Sequence, residues 1–306
     1  MKTVILKGIV TAQSSISHNG GEKNGLVTQF RRESFIMANG KSIDIPIVSG
    51  NAPRGAIRDL AAKDILTNKN NDKVKIDDDT FDFLFSGGHL ESTGSSHIDV
   101  AKVQEMRKKI PILAILGGSV GNNIMPGKLQ MGKMIPIANE TIHLLPDDLE
   151  LGDYKPQSVF TLTQIEMYVR KDDKKNELYK VFRSSQEAAK EIVESEKKGQ
   201  MMYFLETLKA GTKLYWQITL QDPTEAELGS FLMFLNSYVN EPFSLGGNGR
   251  VGHGDIKLDF YKTETIDSQM KFKNSDFVKY MDAAKEAKED MTSFFEKGKI
   301  VKNLFE

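Results

Sequence analysis

The chain has 306 residues, enough to bury a large core as one or two domains. Its 39% hydrophobic and 27% charged residues are ordinary for a globular protein, and the absence of cysteine excludes disulfides and cysteine-rich zinc sites. A formal net charge of −1 excludes a uniformly basic nucleic-acid coat, so any polyanion site must come from local clustering.

Residues 2–15 are β-rich and read as a first strand, broken by Lys7 and so unlike a secretory leader. A polar glycine loop follows from His18 to Gly25. Arg31 and Arg32, just beyond it, suit either phosphate contacts or a solvated surface pair. The β-branched run Ile45-Pro46-Ile47-Val48 stops at Ser49-Gly50-Asn51, and a helix opens with Pro53 in its first turn, where a missing N–H costs nothing. Asn51 is the expected cap, and Gly50 lets the backbone pass close to something outside the protein. Arg54 and Arg58, four apart, share a face. Free N–H groups, a positive helix end and two guanidinium forks make an anion trap suited to a nucleic-acid backbone. The same residues also fit an ordinary strand-to-helix turn with two surface arginines.

The helix runs to Leu66. A charged break over 69–79 precedes short helical pieces at 80–85 and 100–109, and the apolar run 110–116 feeds Gly117-Gly118. Residues 124–137 read as extended, turning at Pro126-Gly127. Lys128 and Lys133 are expected as basic tips of an exposed hairpin, either a backbone clamp or a plain surface hairpin. Next come an irregular loop over 139–156, a strand over 157–169 and a polar amphipathic helix over 185–198. Strands 201–208 and 214–220 are expected to pair across Ala210-Gly211. Residues 224–238 form a helix with Leu228, Phe231, Leu232 and Leu235 on its apolar face. A long helix over 275–297 opens at Ser275 and closes at Gly298.

Between the 224–238 helix and a strand over 255–260 lies a second glycine-rich stretch. Gly246, Gly247, Gly249, Gly252 and Gly254 fall within nine residues, interleaved with Asn248, Arg250 and His253. Such a loop leaves backbone N–H groups free to cradle phosphates, and Arg250 adds a bidentate donor. A dinucleotide-binding glycine loop needs a strand before and a helix after; here the order is reversed, and no Gly-Lys-Ser/Thr occurs. No nucleotide cofactor is expected. The histidines His18, His89, His97, His143 and His253 show no metal-ligand spacing, and His89 and His97 with Glu91 and Asp99 read as a polar loop. The order strand, helix, paired strands, helix, strand predicts an α+β ferredoxin-like or RRM-like sandwich: one domain, core over 1–63 and 158–306, large insertion over 64–157.

Four stretches together resemble the RAMP superfamily, the repeat-associated RNA-binding proteins of CRISPR systems. They are the 2–11 strand with the His18 to Gly25 loop; the turn from Ile45 to Arg58, similar to the family's Pro-x-x-Ser-Gly-Asn/Ser-x-x-Arg-Gly-x-x-Arg pattern; the 204–214 strand–turn–strand; and the Gly246 to Gly254 loop. The chain looks most like the type IV backbone subunit that polymerises along guide RNA, with a type III-like subunit as runner-up. The resemblance implies a palm core, helical fingers in the insertion and a thumb hairpin within 117–157. It implies RNA contacts at Ser49, Gly50, Asn51, Arg54, Arg58, Gly247, Asn248, Gly249, Arg250, Gly252 and His253, with Arg31, Arg32, Lys128 and Lys133 as further candidates. Its implied partners are a CRISPR guide RNA, a complementary target nucleic acid, neighbouring copies head-to-tail and other effector subunits.

Type III relatives cleave target RNA with an acidic residue in the glycine loop. The matching stretch from Gly25 to Arg32 has no Asp, Glu22 lies beyond Gly25, and Asp44 reads as a turn residue. The expectation is a non-catalytic, cytoplasmic subunit of an antiviral effector, with no catalytic residue, metal, cofactor or membrane contact. Two alternatives stand beside it. One is a metal-dependent endoribonuclease on the same fold. The other is a stand-alone RRM-like regulator, which calls for an aromatic pair on one face where Tyr203 and Phe204 point to opposite sides.

Overall fold

The computed structural model describes residues 3–67, 70–88, 100–120, 123–149, 151–169 and 202–266, with isolated positions between 282 and 292. In chain order the elements are β1 (Thr3–Ala12), β2 (Asn19–Asn24), β3 (Val27–Phe30), β4 (Arg32–Ile36), β5 (Ser42–Pro46), α1 (Asn51–Ile65), α2 (Asp78–Ser86), α3 (Val100–Lys109) and α4 (Pro111–Leu116). Then follow β6 (Gly118–Val120), β7 (Asn123–Met125), β8 (Leu129–Met131), β9 (Ile135–Pro136), β10 (Thr163–Val169), β11 (Met202–Leu208), β12 (Lys213–Gln221), α5 (Glu225–Asn240) and β13 (Ile256–Ile266). The helices expected over 185–198 and 275–297, and the His89 and His97 loop, lie outside the described residues, apart from the isolated helical positions.

Alternation along β1 and β12 builds the main sheet. Val4, Leu6 and Val10 stand opposite Leu220, Ile218 and Leu214, all buried, and form one cluster with Trp216, Ile57, Ala61 and Ile65 of α1 and Leu228, Phe231 and Leu235 of α5. The residues between them on the strands, Ile9 and its cross-strand partner Tyr215, meet Ile137 and Leu145 in a smaller cluster on the other face. The strands run β13-β1-β12-β8, all antiparallel, and β9 pairs with the other end of β12. With α1 and α5 as crossovers, β1, β8, β12 and β13 give the β-α-β-β-α-β ferredoxin-like sheet. The α+β expectation holds.

The strand assignment inside that frame differs from the sequence reading. β11 and β12 do not pair with each other: β11 lies between β10 and β3 in a second sheet, order β10-β11-β3-β2. The turn at Gly211 exists, but β1 holds it. Gly211 donates its N–H to the Ala12 carbonyl at 2.8 Å, and Ala12 donates to Thr212 at 3.0 Å. β8 and β9 fall within the 64–157 span read as an insertion, and they supply the far edge of the main sheet.

That placement also corrects the basic hairpin. Between Lys128 and Lys133 runs strand β8, an edge strand of the sheet and not a free hairpin, although Lys133 itself is exposed. Lys128 Nζ lies 2.7 Å from Glu227 Oε2 and donates to the Asp222 carbonyl at 2.9 Å, while Lys133 pairs with Glu33. Glu227 is only 3% exposed and serves two purposes. Its carboxylate accepts the Thr224 N–H at 2.8 Å, closing a capping box in which Thr224 Oγ1 accepts the Glu227 N–H at 3.2 Å. Thr224→Ala should lower the unfolding free energy by about 1 kcal/mol. Glu227→Ala should lower it further, because the Lys128 ammonium also loses its buried partner. Urea denaturation curves of the two variants check the order.

Candidate nucleic-acid interface

Residues 15–18, which leave β1 for the second sheet, gather the two glycine motifs. Ile16 exchanges a pair of backbone hydrogen bonds with Leu208 of β11, both 2.9 Å. The Ser17 carbonyl accepts the Gly247 N–H at 2.7 Å and the Ser15 carbonyl that of Gly254 at 2.9 Å. The His18 carbonyl accepts the Arg31 N–H at 2.7 Å, and His18 Nε2 accepts the Ser49 N–H at 3.1 Å. A Cβ on Gly246 (φ +85°) would stand 2.2 Å from the Ser17 oxygen, so only glycine permits this approach. Through four residues the turn at 49–51, the loop at 246–254 and Arg31 become neighbours.

The 49–51 turn is built differently from the expectation. Gly50, not Asn51, occupies the cap position, and no side chain caps the helix. A Cβ on Gly50 would lie 2.1 Å from the Met131 carbonyl, so the close approach is to β8 inside the protein, not to something outside. Asn51 is exposed, and the Gly50 and Asn51 N–H groups have no partner among the described residues. The positive end of α1 is therefore open.

Of the arginines, burial decides which can reach a phosphate. Arg58 is 7% exposed and donates to the carbonyls of Gly117 at 2.7 Å, Leu116 at 3.3 Å and Phe83 at 3.4 Å. Burial first, then the neighbouring Arg54 charge, pulls its pKa down to about 10, so it remains charged at neutral pH. It ties the ends of α2 and α4 to α1 and is not available as expected. Arg54 is half-buried, donates to the Leu116 carbonyl, and shares with Asn51, Gly55, Gly117 and Ser119 a cleft of about 530 Å³. Arg32 is held by Glu206 and by Thr163 Oγ1 at 3.4 Å, so it too is committed within the protein. Arg31 stays partly exposed. Its only ion pair among the described residues is a loose 3.9 Å contact with Glu33, and its Nε has no hydrogen-bond partner.

In the glycine loop, Gly246, Gly247, Asn248 and Arg250 are exposed. Asn248, at φ +59°, donates from Nδ2 to Ser17 Oγ at 2.9 Å; Gly249 opens a 3-10 turn that ends before Gly252. Arg250 makes no hydrogen bond or ion pair among the described residues. His253 was expected to touch RNA, but it is 2% exposed. Its Nδ1 lies 2.8 Å from Ser15 Oγ, and its Nε2 meets the hydroxyl of Tyr168 on β10. The Tyr168 hydroxyl also donates to Glu166 at 2.8 Å, and Glu166 accepts from Thr207 at 2.7 Å. Burial pushes the Glu166 carboxyl up, but hydrogen bonds from Thr207, Gln164, Tyr168 and Ser15 outweigh it and hold the pKa at about 2. Burial and the Glu166 carboxylate push Tyr168 to about 12. The sequence reading missed this network, whose signals were a histidine amid glycines and tyrosines at opposed strand positions.

Among the described residues no cluster of His, Asp and Glu is arranged to hold a metal ion, and no helix is long and apolar enough to cross a membrane. No protein-family profile matches the chain, and no curated protein is significantly similar to it. A chain of a solved structure titled "Type IV-B CRISPR Complex" shares its fold. The two are 18% identical over 89% of this chain and 93% of that one, with a TM-score of 0.53.

Arg58→Ala should destabilise the protein by roughly 1–3 kcal/mol per carbonyl left without a donor, and Arg58→Lys should restore little, because one ammonium cannot span the fork. Thermal unfolding with circular dichroism reads both. His18 gives a pH dependence: burial, then the Arg31 charge, lowers its pKa below the ordinary 6.5. Below 6.5 the unfolded chain binds a proton that the folded chain refuses, so this contribution is complete above 6.5 and is lost as pH falls toward the folded pKa. Chemical denaturation at about pH 7 and about pH 5 should show the loss, and His18→Gln should flatten that dependence.

Proposed function

We propose that this chain is a non-catalytic, RNA-binding backbone subunit of a CRISPR effector complex, several copies of which stack head-to-tail along a guide RNA. The observation that carries this reading is the joining, through residues 15–18, of two glycine turns whose donors at Gly50, Asn51 and Arg250 have no partner among the described residues. Backbone N–H groups, a helix N-terminus and isolated guanidinium groups suit phosphates and ribose hydroxyls, not base edges. The bases of a guide so held stay free to pair with a target, and pairing supplies the sequence specificity. The fold likeness to a chain of a Type IV-B CRISPR complex supports the same assignment. So do the carboxylates. Asp44 sits in the β4–β5 hairpin accepting a hydrogen bond from Ser34, and Glu22 lies on the exposed strand β2; among the described residues neither is paired with a second acid or base.

Arg250→Ala should weaken binding of single-stranded RNA uniformly across sequences and lower the slope of log affinity against log salt by up to about one unit, with the unfolding midpoint unchanged. Fluorescence anisotropy over a salt series measures this. An unchanged slope would remove the loop from the interface. Coexpression with a long guide should yield complexes of several copies per RNA, and bound complementary RNA should stay intact in Mg²⁺ or Mn²⁺. A strictly 1:1 complex, or evenly spaced cuts abolished by Glu22→Ala or Asp44→Ala, would overturn the reading.

A further inference from the structure

The Tyr168–Tyr203 pair lies beside the glycine loop, and the interface described above makes no use of its aromatic faces. The two tyrosines are direct cross-strand partners in β10 and β11. Their rings stack at a centroid distance of 5.3 Å and an interplanar angle of 17°. Tyr168 is the anchored member, its hydroxyl held by Glu166 and by His253. Tyr203 is the presented member, 44% exposed with Tyr168 behind it. Because His253 belongs to the loop that carries Asn248 and Arg250, the hydrogen bond between His253 and Tyr168 couples the ring pair to the phosphate-type donors. We propose that Tyr203, backed by Tyr168, is a stacking platform for a nucleobase of the single-stranded RNA whose backbone is held at the 246–250 loop. This rests on the RNA-binding reading and adds a base-contacting residue to it.

The register of the sheet favours a base over an apolar protein partner. Exposed Ile165, Met167 and Met202 are one residue out of phase with Tyr168 and Tyr203, so they project from the opposite face. On the tyrosine face the neighbouring strand residues are Glu166, buried Leu205 and buried Thr207, with the polar glycine loop alongside. A flat ring among polar groups and a free guanidinium is poor ground for a hydrophobic interface. It suits a base, whose π-face stacks whatever its identity. The arrangement also fixes the ring in advance: the hydrogen bonds to Tyr168 restrain the pair, so stacking loses little side-chain freedom.

The test uses the full chain and fluorescein-labelled single-stranded RNA of mixed sequence, titrated by anisotropy across a salt series. Tyr203→Ala and Tyr203→Leu should each weaken binding by about fivefold to about a hundredfold with the salt slope unchanged, because a stack is lost and no phosphate contact is. Tyr203→Phe should bind as the parent does, since stacking needs the ring and not the hydroxyl. A 2-aminopurine base in the RNA should be quenched by the parent and less so by Tyr203→Leu. Unfolding midpoints screen out a misfolded variant, and the leucine variant keeps the bulk if alanine fails. Parent-like binding by Tyr203→Leu while Arg250→Ala weakens it would sink the platform and leave the backbone reading standing. A lowered salt slope in Tyr203→Leu would also overturn it. If the parent chain binds no RNA at all, both readings fall.

Discussion

The carbonyls of Ser15, Ser17 and His18 hold together the parts of the interface. Each accepts a backbone N–H from a different place: Gly254, Gly247 and Arg31. Ile16 between them is laddered to Leu208. Buried backbone groups must find partners, and here the partners are the segments that carry the exposed donors. A scaffold made of main-chain bonds is insensitive to most side-chain changes. The side chains of Asn51 and Arg250 can therefore face solvent without being required for folding. The exceptions in this scaffold include Gly246, where any Cβ would collide with the Ser17 oxygen, and Gly254, where it would collide with the Leu245 oxygen.

Burial sorts the positive charges that the sequence presents as equivalent. Arg58, Arg32 and Lys128 each lie against the body of the protein, and a cation removed from water there needs acceptors in good geometry. They find three backbone carbonyls, the Glu206 carboxylate and the Glu227 carboxylate respectively. Arg31 and Arg250 keep contact with water, so a phosphate can take the place of solvent at small desolvation cost. The Arg54 and Arg58 pair illustrates the division: four residues apart on one helix face, both border the same cleft, yet Arg54 is half-buried while Arg58 is only 7% exposed and donates to three backbone carbonyls.

The parts legible in the sequence were those with local causes. The 49–51 turn, the glycine loop and the capped helix α5 follow from punctuation by Gly, Pro and Thr, and alternation in β1 and β12 marks the sheet. What escaped depends on distant partners. Nothing local says that β11 and β12, separated by a turn with Gly211, should diverge into different sheets, or that three-residue β8 should find β12 through Leu129 and Leu220. Likewise the acceptor that removes Arg32 from the interface is 174 residues away, and the serine that holds His253 is 238 away. Asn51 looked like a cap because it is a good capping type. The helix begins one residue earlier than that reading allowed, at the point where β8 presses on Gly50.

A chain of net charge −1 sits oddly with RNA binding only if each copy is considered alone. Under the proposed function, copies lie side by side on one polyanion, and a strongly basic protein would repel its neighbours as well as attract RNA. A near-neutral body with a few uncommitted donors avoids that conflict. Each copy then contributes a modest grip, the sum along the guide supplies the affinity, and contacts between copies act at high effective concentration. A stacked base beside the phosphate site serves the same economy, since it adds affinity that does not depend on net charge and does not weaken with salt as phosphate contacts do. On this view the near-zero net charge suits a subunit that works in rows.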